Sequence, residues 1–133
     1  MKVDVLKRVI FYAGAIAVFL SYADSWQNRA GAISSFVIAL IASLPFLVLL
    51  MWVIKGTKKY IYVKYIASGV CCIVGVFAYA AYLIGGPSNN PDTAGHMHII
   101  FFPVLHLLFT LSVVAASIIL MFILNKMKNE KVT

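Results

Sequence analysis

The sequence predicts an all-α integral membrane protein, an antiparallel four-helix transmembrane bundle with both termini cytoplasmic. Three observations predict it. First, 63% of the 133 residues are hydrophobic and only 11% are charged, with a mean hydropathy of +0.99, a balance outside the range of water-soluble domains of this size. Second, apolar runs long enough for a hydrocarbon core of about 30 Å occur four times, at about 7–23, 30–54, 60–84 and 98–124, with short connections between them. Third, ten of the eleven Lys and Arg residues fall at the start of the first run, around the connection between the second and third, or after the fourth, and only Arg29 falls elsewhere. Under the positive-inside rule that partition puts both ends inside and the stretch 85–97 outside. The same partition explains the net charge of +7 by topology and anionic headgroups, so nucleic acid is not an expected partner. Residues 1–133 read as a single transmembrane domain without repeats or low-complexity tracts.

In the first span, Ala13, Gly14, Ala15 and Ala17 offer a small face for helix packing. Ser21-Tyr22-Ala23 after a basic start also resembles a cleavage site, but the small face favours a retained span. Asp24 to Arg29 is expected as a short polar connection that makes the first two helices antiparallel neighbours. In the second span, Ser35, Ala39 and Ser43 recur every four residues as a packing stripe, and Pro45 withholds its N–H from the carbonyl of Ile41, predicting a kink relieved by neighbours such as Ser43. Lys55 to Lys59 forms an inner turn with Gly56 as its flexible point. The third span repeats the small stripe at Ala67, Cys71 and Gly75, with Tyr79 and Tyr82 expected at the outer interface and Lys64 snorkelling toward the inner headgroups. Gly85, Gly86 and Pro87 stop that helix, and Asp92 or Thr93 is placed to cap the fourth. Asn125 to Thr133 is a short charged tail.

Most residues with chemical character lie between Pro87 and His106. That stretch holds Asn89, Asn90, Asp92, His96, His98 and His106, including every histidine in the chain. His96-Met97-His98 has ligand types suited to copper, yet three ligands within three residues lack the spacing of a structural site, so no metal and no cofactor are expected. His106 falls well inside a span, where an ionisable side chain needs a partner; Ser34, Ser35 and Tyr82 are the candidates. The four acids, Asp4, Asp24, Asp92 and Glu130, sit at span ends, and no nucleophile, base and acid come together at one depth. The expectation is a non-enzyme. The adjacent Cys71 and Cys72 point about 100° apart on a helix and are expected as buried free thiols.

Pro91-Asp92-Thr93-Ala94-Gly95, followed by Phe102-Pro103 on a basic four-span plan with both ends inside, resembles the small inner-membrane immunity proteins that protect bacteria from pore-forming colicins. The segment from Asp92 to Pro103 is also similar to one in many small bacterial membrane proteins, where an Asp-x-x-Ala-Gly-like stretch leads into an aromatic-Pro helix. Here it is one residue shorter, Asp-Thr-Ala-Gly, and the likeness covers about a dozen residues. The resemblance implies a bacterial inner-membrane protein that binds a toxin or another membrane protein. On that reading, Asn89, Asn90, Asp92, His96, His98 and His106 are the contact residues, while Ser35, Ala39, Ser43, Ala67, Cys71 and Gly75 pack helices, within the chain or against a second copy of it. The alternative is a small transporter or a metal- or haem-binding redox subunit built on His98 and His106.

Overall fold

The structure, a computed structural model, describes residues 3–27, 31–55, 59–84 and 94–132, with side-chain environments for all of these except 27, 82, 83 and 94–100. Among the described residues every element is a helix: α1 Val3–Gln27, α2 Ala32–Lys55, α3 Ile61–Ile84 and α4 Ala94–Val132. Ala32–Lys55, Ile61–Ala81 and Phe101–Val132 are long and apolar enough to cross a membrane. In lipid a helix is favoured because it satisfies its own backbone hydrogen bonds, and these runs leave Phe36, Phe77 and Phe122 on the outer surface. Such a surface suits a membrane-embedded chain.

Consecutive helices are not always neighbours. α1 packs along α2 and α3, and α4 packs along the same two, whereas α1 with α4 and α2 with α3 barely touch. The packing cycle is therefore α1, α2, α4, α3. Buried residues follow one stripe per helix at three- and four-residue steps: Leu6, Ile10, Gly14, Ala17 and Ser21 on α1; Ser35, Ala39, Ala42, Phe46 and Leu49 on α2; Lys64, Ala67, Cys71, Gly75 and Tyr79 on α3; Pro103, His106, Thr110, Val114 and Ser117 on α4.

Helix boundaries depart from the apolar runs for physical reasons. Hydropathy marks where lipid contact ends, while a helix continues until its backbone is capped or turned. α1 therefore runs through Asp24, Ser25 and Trp26 to Gln27, and Asp24 and Ser25 are buried in its last turns instead of forming a solvated connection. The Ser25 hydroxyl donates to the Ser21 carbonyl at 2.8 Å. Gly31, with φ +80°, turns the chain before α2, and its carbonyl accepts from the Ser35 N–H at 3.0 Å. Tyr60 has φ +57°, outside the right-handed helical range, so α3 starts one residue later than its aromatic edge suggests. Gly56, the expected flexible point, lies outside the described residues. α4 starts at Ala94, directly after the predicted capping positions, so residues 94–97 are helix and not loop. At the other end the charged tail continues the same helix to Val132.

α2 passes through a fully buried Pro45 as one helix, and Ser43, expected to relieve the proline, donates to Leu40 O at 2.6 Å. Lys64 is buried on the inner face of α3 with its Nζ 5.9 Å from the Trp52 ring centroid, a cation–π contact to α2.

Candidate functional site

The centre of the molecule is a layer to which all four helices contribute, built on Phe46 of α2 and His106 of α4. Two large-into-small contacts carry the geometry. Phe46 fills space next to Gly14 of α1, where an added Cβ would lie 3.0 Å from the Phe46 Cβ. His106 fills space next to Gly75 of α3, where an added Cβ would lie 2.5 Å from the imidazole Cε1 and 3.2 Å from Phe46 Cζ. Glycine is required at Gly75 because the ring of α4 occupies the volume of a side chain.

The imidazole is enclosed. Phe102, one turn earlier on α4, stacks on it with 7° between ring planes and 6.0 Å between centroids. Phe46 meets it at 5.5 Å and Tyr79 meets it edge-on at 6.4 Å, while Tyr79 and Phe102 make their own edge contact at 4.9 Å. His106 Nε2 lies 2.9 Å from the carbonyl oxygen of Cys71, and because a carbonyl only accepts, Nε2 carries the proton. The ring thus ties α4 to α3, a bond worth about 0.6 kcal/mol on average between membrane helices and up to about 1.7. In the neutral ring Nδ1 is an acceptor; it is buried and, among the described residues, has no hydrogen-bond partner, as is true of the Tyr79 hydroxyl.

The partner of His106 among the described residues is therefore a backbone carbonyl one helix away, and not Ser34 or Ser35. Ser35 is fully buried on α2 with its hydroxyl unpaired among the described residues, and Tyr82 has no described side chain. Tyr79, expected at the outer interface, instead faces inward because its ring completes the cage around His106. Cys71 and Cys72 are free and buried.

The small-residue stripes point inward. Ala67, Cys71 and Gly75 are buried between α3 and its neighbours, and Ser35 and Ala39 are buried on α2. Ser43 is only half-buried and borders a groove between α1 and α2 of about 200 Å³ with Ile10, Gly14 and Leu47. His96 and His98 lie in the first two turns of α4, without described side chains, and Asn89, Asn90 and Asp92 lie outside the described residues. Among the described residues, no three His, Cys, Asp or Glu side chains gather as a metal-binding group would require. Phe46 is the central residue that sequence reasoning missed; Gly14 was expected on a small packing face without its partner, and Phe102 was noted only beside Pro103. The four-residue recurrence ending at Gly75, facing a histidine in another span, was the available signal for a large-into-small contact.

Comparison with known protein families, curated proteins and solved structures finds no match for this chain.

Proposed function

We propose that the protein is a four-span inner-membrane protein of bacteria, an antiparallel helix bundle with both termini cytoplasmic, that acts by contact with another membrane component. Protection against a membrane-active toxin is the most concrete form of that action. The observation that carries the reading is the state of His106. The one histidine deep in a span has Nε2 committed to the Cys71 carbonyl and its ring closed in by Phe46, Tyr79 and Phe102, which makes it a tie between helices and leaves it poorly placed to meet a substrate or a haem. With the embedded polar chemistry turned inward, the surfaces left for recognition are the outer segment 85–93, the first turns of α4 with His96 and His98, and the lipid-facing grooves.

The reading is tested by the survival of sensitive cells that express the protein under challenge with pore-forming toxins from the source strain. Wild type is expected to raise survival above that of cells lacking it. The His106→Gln variant, whose amide N–H can still donate to Cys71 O, should keep protecting, while Asn89→Ala, Asn90→Ala and Asp92→Ala together should lose protection at unchanged membrane levels. Loss of protection in a stably folded His106→Gln protein would mean that the imidazole does chemistry. Absence of protection by wild type would remove the toxin reading.

A further inference from the structure

One groove on the outer surface has a charged mouth. Between α3 and α4, Val63, Ala67 and Val70 face Val113, Ala116 and Leu120 across an open, almost wholly apolar groove of about 330 Å³. Near the same ends of the two helices, Lys59, just before α3, donates from Nζ to Asn125 Oδ1 of α4. Past Asn125, α4 is exposed from Lys126 to Val132. Lys128 and Lys131 follow Leu120 by eight and eleven residues, which at 3.6 residues per turn places them about 80° and about 20° from it on the helix. The face of α4 that forms the apolar groove thus continues, past Asn125, as a face with two exposed lysines, while Asn125, the partner of Lys59, lies about 140° round the helix from Leu120.

We propose that this groove is a binding site for one anionic phospholipid, with an acyl chain between α3 and α4 and the phosphate against Lys128 and Lys131. Charge complementarity selects this occupant. An apolar slot suits any lipid chain, but two exposed lysines on the continuation of its α4 face favour a headgroup with net negative charge, and basic pockets between membrane helices are recurrent sites for such lipids. A lysine beside an anionic headgroup contributes about fivefold in affinity. The inference rests on the membrane-spanning reading of α3 and α4 and is independent of toxin contact.

The experiment uses the full chain, purified in neutral detergent and delipidated, titrated with phosphatidylglycerol or phosphatidylcholine and followed by native mass spectrometry and thermal unfolding. One phosphatidylglycerol per chain should be retained, about tenfold or more tighter than phosphatidylcholine, with a rise in the unfolding midpoint. Lys128→Ala with Lys131→Ala should remove that preference by about tenfold or more. Ala116→Leu, at an exposed position of the groove wall, should displace the acyl chain while the protein stays folded. Equal binding of the two lipids, an Ala116→Leu protein that binds like wild type, or a groove occupied by a second copy in a dimer that Ala116→Leu dissociates would each overturn the proposal. A chain that remains in the membrane fraction while failing the lipid test would refute this site and leave the membrane reading standing.

Discussion

A methyl group on Gly75 would stand 2.5 Å from His106 Cε1, whereas one on Gly69, a turn and a half earlier on the same helix, would meet nothing within 4 Å. The two positions make a matched pair. Gly75→Ala must push the imidazole off Phe102 and away from Cys71 O, and overpacking of this kind costs about 1–3 kcal/mol. Gly69→Ala gains helix propensity without a clash and should be neutral or stabilising by up to about 1 kcal/mol. Thermal unfolding in detergent should separate them; equal effects would mean that the central layer is not as tight as described. At this scale the sequence was legible in part. His106 stood out because an ionisable residue in an apolar run demands a partner, but the partner is a backbone carbonyl, and carbonyls have no signature in a sequence. Phe46 was one phenylalanine among nine, and only the crossing of α2 over α1 and α4 distinguishes it.

Among the elements, α4 departs most from its apolar run. Its 39 residues span about 58 Å at 1.5 Å per residue, nearly twice the thickness of a hydrocarbon core. The excess is polar at the C-terminal end, where every residue from Lys126 to Val132 is exposed. Each of those residues is exposed, so truncation after Asn125 should change unfolding stability by no more than about 0.5 kcal/mol, the range for surface changes, while abolishing selectivity for anionic lipid. A large loss of stability on truncation would show that the tail packs on the rest of the chain. The apolar segments of α2, α3 and α4 were readable because lipid contact demands hydrophobicity over a fixed length. Their helical ends were less so, since Asp24, Ser25 and the tail remain helical for reasons of backbone bonding that hydropathy does not measure.

For the molecule as a whole, the packing cycle α1, α2, α4, α3 leaves α2 and α3, adjacent in sequence, diagonal in space. Sequence proximity and loop length favour adjacent pairs, so this order was not accessible from spacing; it follows from which buried stripes fit, with Gly14 receiving Phe46 and Gly75 receiving His106. α1 is central to the functional reading. It carries Asp4, Lys7, Arg8 and a buried Asp24, and it is the one helix outside the three that are apolar enough to span by length and composition. Its packing on both α2 and α3 is the argument that it crosses with them. If it does, both termini lie on one side, residues 85–93 face outward as a recognition segment, and the basic ends of α3 and α4 meet the inner headgroups. Alkaline phosphatase fused after Arg29, between α1 and α2, tests this directly, because the enzyme is active only outside the inner membrane. The four-span account predicts full phosphatase activity at that junction; an inactive fusion there would place the connection inside and contradict it.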